Sequence, residues 1–145
     1  MSEYVLSIII PHYNTPKFLD KMLSSIPKRN DIQVIVVDDN SDLCGRELSE
    51  LKAKYGNIEL YTSPYSTHST GLCRNVGIER ACGRWIMFGD ADDYYVEGWL
   101  EKIEPFFDSD YDLLYFLPTS VDLETGKCGT RHEMYVGKMQ EYLHN

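Results

Sequence analysis

Two apolar runs, at residues 5–11 and 32–37, constrain the fold of this chain more than any other feature of its sequence. Neither run alternates between apolar and polar residues, as a strand with one solvated face would. Such runs are typical of strands in a parallel sheet that helices cover on both faces. Residues 85–88 are predicted to be another buried strand, and residues 58–61 and 113–117 are predicted to be two shorter ones.

Helical patterns fill the segments between these strands. Thr15 is expected to be the N-cap of the first helix, Pro16 is expected to be its first residue, and Pro27 would end it. Because strands alternate with helices, we expect an α/β protein, a three-layer α/β/α sandwich around a mostly parallel sheet. The further helices are predicted at residues 46–55, 71–82, 98–107 and 138–143.

The length and net charge of the chain limit the classes of protein to which it can belong. Its 145 residues suit one domain with a core of its own. A formal charge of −9, without any stretch rich in lysine and arginine, argues against binding nucleic acid through its phosphates. The N-terminal apolar run is too short for a membrane span or a signal peptide, and the four cysteines form no Cys-x-x-Cys pair. We therefore expect free thiols and a cytoplasmic protein, which a peripheral position at a membrane would also satisfy.

Polar residues follow three of the predicted strands, at the point where each strand ends. In parallel α/β sheets, ligands bind outside the carboxyl ends of the strands. If the first, second and fourth strands are neighbours, their ends form one polar, acidic cleft. The side chains concerned are Tyr13, Asn14, Asp38, Asp39, Asn40, Asp90, Asp92 and Asp93.

The three carboxylates within residues 90–93 need an explanation of their own. Like charges this close repel one another unless a cation or hydrogen-bond donors lie among them. Mg²⁺ takes one or two protein carboxylates together with phosphate oxygens of a substrate, so this stretch suits a metal and phosphate site. An acidic first turn of the next helix, favoured by the helix dipole, explains the same residues equally well.

Four segments, in this order and spacing, resemble the family 2 glycosyltransferases, which are enzymes of the GT-A fold that use nucleotide-sugar donors. Residues 11–14 (Pro-His-Tyr-Asn) resemble the family's Pro-x-Tyr-Asn loop after its opening strand. Residues 36–42 are similar to its Val-Asp-Asp-x-Ser signature, and residues 71–78 to its Gly-x-x-x-Arg-Asn-x-Gly helix. Residues 90–93 (Asp-Ala-Asp-Asp) resemble its DxD motif. The resemblance implies the Rossmann-like, nucleotide-binding half of a GT-A fold.

The resemblance implies a site for the base of a uridine nucleotide. Tyr13 would stack on the uracil ring, although a half-buried loop aromatic is an equally simple explanation of this residue. Asp39 would accept a hydrogen bond from the imide N–H of the base, with the carbonyl of Pro11 nearby. Asn14, in the same loop as Tyr13, is placed among the nucleotide-binding residues. Asp38 is placed with them, with the alternative that it holds its loop by accepting backbone N–H bonds.

The resemblance also implies a diphosphate and metal site. Arg74 would reach the base or the phosphates, although an arginine on a helix is commonly a solvated charge. Asp90 would contact the ribose and, with Asp92, bind Mg²⁺ or Mn²⁺ that bridges the diphosphate. This metal would stabilise the negative charge that develops on the departing nucleoside diphosphate. Asp93 is expected to cap the following turn, and Gly77 is expected to let its helix approach the sheet.

The implied activity is transfer of a sugar, from a nucleotide-sugar donor such as a UDP-sugar, to a saccharide or lipid-linked acceptor with inversion at the anomeric carbon. In the family, the general base belongs to a later acidic motif in the acceptor-binding half, whereas this chain stops at Asn145. We therefore expect one GT-A domain over residues 1–145, truncated before that segment, and name no catalytic base. A charged surface loop explains residues 131–133 (Arg-His-Glu) better than a base does. Such a half-domain, with an exposed apolar patch, would also favour a homodimer.

Two other functions fit parts of the sequence. A phosphoacceptor receiver module has an acidic end to its first strand, as residues 33–40 do, but it needs a lysine at the end of its last strand, which is missing here. A nucleotide-sugar-binding module without catalytic activity would explain why no base is found.

Overall fold

The computed structural model describes residues 4–115, 119–122 and 124–130. They form two compact units that divide between Asp108 and Ser109. The first unit contains a four-stranded sheet, and the second contains a two-stranded antiparallel hairpin. In chain order the elements are β1 (Leu6–His12), α1 (Pro16–Ser24), β2 (Ile32–Asp38), α2 (Gly45–Lys54), β3 (Ile58–Thr62), α3 (Thr70–Arg80), β4 (Trp85–Phe88), α4 (Trp99–Ile103), a 3₁₀ turn (Glu104–Phe106), β5 (Thr119–Val121) and β6 (Cys128–Thr130).

The sheet of the first unit is parallel throughout, and its strand order is β3–β2–β1–β4. The two central strands, β1 and β2, are buried along their whole length, as the lack of alternation in their sequences predicts. Because β2, β1 and β4 are neighbours, the three polar strand ends lie side by side at one edge of the sheet.

Helices cover both faces of this sheet, which confirms the predicted three-layer α/β/α sandwich. Successive residues of a strand point to opposite faces. Ile8 and Ile10 therefore pack in a core with α1, α2 and α4, whereas Ile9 packs in a second core with α3. α3 lies close to β1 because it carries Gly77, at which a Cβ atom would stand only 2.3 Å from Cγ2 of Ile9.

The burial predicted for the fourth strand is wrong. Trp85 and Met87 of β4 pack against the larger core, but Ile86 and Phe88, on the opposite face, are 42% and 46% exposed. Within the described part of the chain, β4 pairs only with β1 and is an edge strand. α3 packs chiefly on β1 and β2. An apolar run therefore predicts the strand correctly, but the position of the strand in the sheet decides how far it is buried.

Thr15 is the N-cap residue of α1, as predicted, although its side chain makes no capping hydrogen bond. Another helix prediction needs correction. The α-helix predicted over residues 98–107 ends at Ile103 and continues as the 3₁₀ turn that contains Pro105. Proline has no N–H to donate to an α-helical hydrogen bond, which is the physical reason for this change.

The predicted fifth strand is not present as far as the chain is described. Residues 113–115 form no strand, and Leu113 and Tyr115 are 80% and 75% exposed. The rest of that segment and the helix predicted at residues 138–143 lie outside the described residues. No helix among those that are described is long and apolar enough to cross a membrane.

Candidate functional site

A cleft of about 380 Å³ lies at the carboxyl ends of β1, β2 and β4. It brings together six of the eight residues that the sequence places in the site, and the side chains of Asn14 and Asp38 do not line it. The lining residues are Pro11, His12, Tyr13, Thr15, Asp39, Thr70, Cys73, Arg74, Asp90, Ala91 and Asp92.

Asp39 presents a carboxylate oxygen that accepts no hydrogen bond from the described residues. Its main-chain N–H donates to the carbonyl of His12 at 2.8 Å, which fixes the backbone at the end of β2. Its Oδ2 accepts the main-chain N–H of Ser69 at 2.8 Å. Its Oδ1 is buried and has no hydrogen-bond partner within the described residues. The site therefore offers one strong acceptor to any ligand that carries an N–H or O–H group.

An aromatic pair stands beside this carboxylate. The Tyr13 side chain is 44% exposed, and its ring lies 4.5 Å from the His68 ring, centroid to centroid, at an angle of 48°. His68 donates its Nδ1–H to the main-chain carbonyl of Asp39 at 3.0 Å, since a carbonyl only accepts. Because the Tyr13 ring lines the cleft and is partly exposed, it offers an aromatic face to a planar ligand.

The sequence did not predict that His12 lines the cleft. Its Nε2 accepts the main-chain N–H of Thr15 at 3.1 Å, which places the ring N–H on Nδ1. Its Nδ1–H therefore donates to Oδ1 of Asp38 at 2.8 Å. The family motif allows any residue at this position, and the only signal was a polar residue directly after the first apolar run.

Asp38 is held by these loops and does not enter the cleft. In addition to His12, Ser41 donates to it from its main-chain N–H at 2.9 Å and from its hydroxyl at 2.6 Å. Burial by itself would raise the pKa of Asp38, but the hydrogen bonds from His12 and Ser41 outweigh it and keep the pKa below its ordinary value. The structure thus favours the alternative in which Asp38 organises its loop.

Asn14 links the same two loops. Its φ of 50° puts it in the left-handed region, which asparagine tolerates better than most residues. Its main-chain N–H donates to Ser41 Oγ at 2.9 Å, and its side-chain amide bonds Asp42 and the N–H of Leu43 at 2.8 and 3.1 Å. With both ends of the amide in use, Asn14 positions Tyr13 and is not itself a lining residue.

Arg74 and Asp90 form an ion pair in the cleft. Nη2 of Arg74 lies 2.6 Å from Oδ1 of Asp90, and the guanidinium stands 5.5 Å from the ring centroid of Phe88. Nε of Arg74 is buried and without a hydrogen-bond partner in the described part of the molecule. This arginine is therefore a paired charge in the cleft, with one donor still unused.

Asp92 lines the cleft beside this pair, and it is exposed. The main-chain N–H of Asp93 donates to the carbonyl of Asp90 at 3.0 Å and closes the turn that carries all three acids. The described residues contain no group of three histidine, cysteine or acidic side chains that could hold a metal ion. Asp90 and Asp92 could thus supply only part of the coordination of a cation.

Cys73 lines the cleft and carries a thiol, which could act as a nucleophile if it were deprotonated. Its surroundings keep the thiol protonated. Burial, followed by the nearby Asp39 carboxylate, raises the pKa of this thiol to about 11. A thiol that stays protonated at neutral pH is a poor nucleophile. The cleft therefore suits binding and orientation of a ligand, without a covalent intermediate on this cysteine.

The parallel sheet and the cleft at its strand ends define an α/β protein whose cleft lies where such folds usually bind their ligands. The family model described as Glycosyl transferase family 2 matches residues 7–145, and the chain belongs to this family. The resemblance drawn from the four motifs is confirmed, and the receiver module is no longer an alternative.

Bacterial glycosyltransferases are similar to this chain in sequence. The poly(ribitol-phosphate) beta-N-acetylglucosaminyltransferase TarS of Staphylococcus aureus is 33% identical over 109 residues, which cover 70% of this chain and 18% of TarS. The UDP-Glc:alpha-D-GlcNAc-diphosphoundecaprenol beta-1,3-glucosyltransferase WfgD of Escherichia coli is 33% identical over 103 residues, covering 70% of this chain and 40% of WfgD.

A solved structure shows the same fold. The crystal structure of S. aureus TarS 1–349 in complex with UDP-GlcNAc matches with a TM-score of 0.62 and 30% identity, covering 71% of this chain and 31% of that one. The chain therefore spans less than half the length of each of these relatives.

Proposed function

We propose that the cleft binds the nucleotide-sugar donor of a glycosyltransferase, and that this donor is a UDP-sugar. The observation that carries the proposal is Oδ1 of Asp39, which is buried in the lining without a donor among the described residues. A buried acceptor without a partner costs about 1–3 kcal/mol, so the cleft favours a ligand that brings an N–H group to it. The complex of the relative TarS with UDP-GlcNAc supports a uridine nucleotide.

Uracil has the groups that this end of the cleft would recognise. Its imide N–H is a donor that suits Oδ1 of Asp39, and its planar ring suits the partly exposed face of Tyr13. Pro11 lies in the same lining and would contact the edge of the base. Asn14 and Asp38 would act indirectly, because they hold the loops on which Tyr13 and Asp39 stand.

We propose Asp90 and Asp92 as ligands of Mg²⁺ or Mn²⁺. Their carboxylate oxygens are the donors that these hard cations prefer. A site with only two protein carboxylates fits an ion that takes its remaining ligands from phosphate oxygens and water. When bound, such an ion neutralises charge on the nucleoside diphosphate as it leaves. Arg74 would add a second positive charge to the diphosphate after releasing Asp90.

The reaction proposed is transfer of the sugar to a hydroxyl of a saccharide or lipid-linked acceptor, with inversion. The described residues would bind the nucleotide and orient its sugar for attack, which is the positioning part of catalysis. No general base is assigned, and residues 131–133 lie outside the described residues. A binding module without catalysis would use the same cleft, and an assay of sugar transfer separates the two.

We further propose a cytoplasmic location, at which a peripheral position on a membrane is equally possible. All four cysteines carry free thiols, two of them exposed, Cys82 and Cys128. Free exposed thiols suit a reducing compartment.

Calorimetric titration with UDP and CDP in the presence of Mn²⁺ tests the base site. Cytosine presents a lone pair where uracil has the imide N–H, so wild type should bind UDP about tenfold or more tightly than CDP. Asp39→Asn keeps an acceptor for the Ser69 N–H but loses the charge, and should weaken UDP binding by about tenfold. Asp42→Asn lies in the same loop but outside the lining and keeps an acceptor for the Asn14 amide. It is the matched control and should bind UDP as wild type does. Equal affinities of wild type for UDP and CDP, or an unaffected Asp39→Asn, would contradict the proposal.

A further inference from the structure

Tyr95 carries a buried hydroxyl that has no role in the site described above. Its oxygen is shielded from solvent and has no hydrogen-bond partner among the described residues. Unpaired buried polar atoms are rare in folded proteins, since each loses its hydration without compensation. A hydroxyl kept in this state is a candidate for a contact that forms only when a ligand is bound.

The ring of Tyr95 is held by a stacked neighbour and by hydrogen bonds to the end of α1. The ring stacks on Trp99 with a centroid distance of 4.4 Å and an angle of 27°. The main-chain N–H of Tyr95 donates to the hydroxyl of Ser25 at 3.0 Å, and Nε1 of Trp99 donates to the Ser25 carbonyl at 3.0 Å. Tyr95 is thereby attached to the end of α1, on the side of the sheet that carries the larger core.

Gly89 makes room for the hydroxyl directly before the acidic turn. A Cβ atom at this position would stand 2.9 Å from the hydroxyl oxygen of Tyr95 and 2.5 Å from Cε of Met22. The residue that follows is Asp90, which lines the cleft and pairs with Arg74. The hydroxyl therefore lies next to the backbone that leads into the acidic turn.

The electrostatic surroundings keep this hydroxyl a donor. Burial, followed by the carboxylates of Asp90 and Asp93, raises the pKa of Tyr95 well above its ordinary value. The phenol is thus protonated at neutral pH and presents an O–H close to negative charge. In the structure described here, however, the Asp90 carboxylate is paired with the Arg74 guanidinium, at 2.6 Å.

We propose that Tyr95 is a positioning residue of the donor site, whose hydroxyl bonds the Asp90 carboxylate once Arg74 leaves it for the diphosphate of a bound nucleotide. This inference rests on the proposed function. Two donors are unpaired within the described residues: Nε of Arg74, whose Nη2 pairs with Asp90, and the Tyr95 hydroxyl, which lies next to Gly89. Binding of a diphosphate gives the first a phosphate oxygen and the second a carboxylate oxygen, so both are satisfied by one event.

Tyr95→Phe keeps the stack on Trp99 and removes only the hydroxyl. Without ligand, its melting temperature should equal or exceed that of wild type, because an unpaired buried hydroxyl is lost. With Mn²⁺ present, its affinity for UDP should fall about tenfold, since a hydrogen bond to a charged group is lost from the complex. Tyr94→Phe is the matched control: this neighbouring ring is 41% exposed under Lys21, and the variant should behave as wild type does.

A double-variant cycle with Asp90→Ala, which removes both acceptor oxygens, separates positioning from a merely structural role. If Tyr95 acts through Asp90, adding Tyr95→Phe to Asp90→Ala should weaken UDP binding no further. The inference is overturned if the two losses multiply, if Tyr95→Phe binds UDP as tightly as wild type, or if its ligand-free melting temperature falls. A wild type that fails to bind UDP overturns the proposed function and this inference with it, whereas the other outcomes leave the proposed function standing.

Discussion

Asp38 and Asp39 are neighbours in the sequence, yet their carboxylates have different hydrogen-bond partners. Both oxygens of Asp38 are occupied by His12 and Ser41, whereas Asp39 keeps one oxygen without a donor in the described structure. The motif predicts that two acids end this strand, but it does not show which of them faces the cleft. That depends on His12, which lies on another strand, and a contact between residues 26 positions apart is invisible to a local pattern.

The hydrogen bonds of Asp38 give a prediction about acid stability. Because its pKa lies below the ordinary value in the folded protein, the unfolded chain takes up this proton at a higher pH than the folded chain does. The stabilisation is therefore complete above about pH 4 and is lost as the pH falls through the folded pKa.

Asp38→Asn should be about 1–2 kcal/mol less stable than wild type at pH 7, since the hydrogen bonds lose their charge. Urea denaturation at pH 7, 4 and 3 should show this difference shrinking as the pH falls. A difference that stays constant or grows would contradict the assignment of Asp38.

At the scale of elements, the order of strands is what turns separate motifs into a site. Alternation of strands and helices predicts the parallel sheet correctly, because an unbroken apolar run needs cover on both faces. The burial of β4 could not be predicted, since it depends on β4 being at the edge of the described sheet. The 3₁₀ turn after α4 could have been predicted from the sequence, because Pro105 cannot donate an α-helical hydrogen bond.

The close contact between α3 and β1 at Gly77 leads to a prediction about stability. Alanine in a helix interior normally stabilises by about 1 kcal/mol relative to glycine. At Gly77, however, a Cβ atom would stand 2.3 Å from Ile9, so α3 would have to move away from β1. Gly77→Ala should therefore lower the unfolding free energy by about 1–3 kcal/mol.

Gly71→Ala is the control in the same helix. Its nearest neighbour would be Oγ of Ser69 at 3.7 Å, which is ordinary contact, so this variant should be as stable as wild type or more stable. Denaturant midpoints of the two variants check the prediction. Equal midpoints would mean that α3 does not depend on close contact at Gly77.

At the scale of the whole molecule, an acidic protein is proposed to bind an acidic ligand. A net charge of −9 repels a nucleoside diphosphate at long range, so binding depends on positive charge placed locally. Arg74 supplies such a charge in the lining, but Asp90 neutralises it in the structure described here. The sequence predicted both residues for the site, but not their pairing, because α3 and the end of β4 meet only through the strand order. The proposed binding of a nucleoside diphosphate therefore depends on a divalent cation.

Titration of UDP with and without Mn²⁺ tests this claim most directly. Wild type should bind UDP at least about tenfold more tightly with the metal than with a chelator. Asp92→Asn should lose most of that difference, whereas Asp93→Asn, in the same turn but outside the lining, should keep it. UDP binding by wild type that is absent, or equally tight with and without Mn²⁺, would contradict the account.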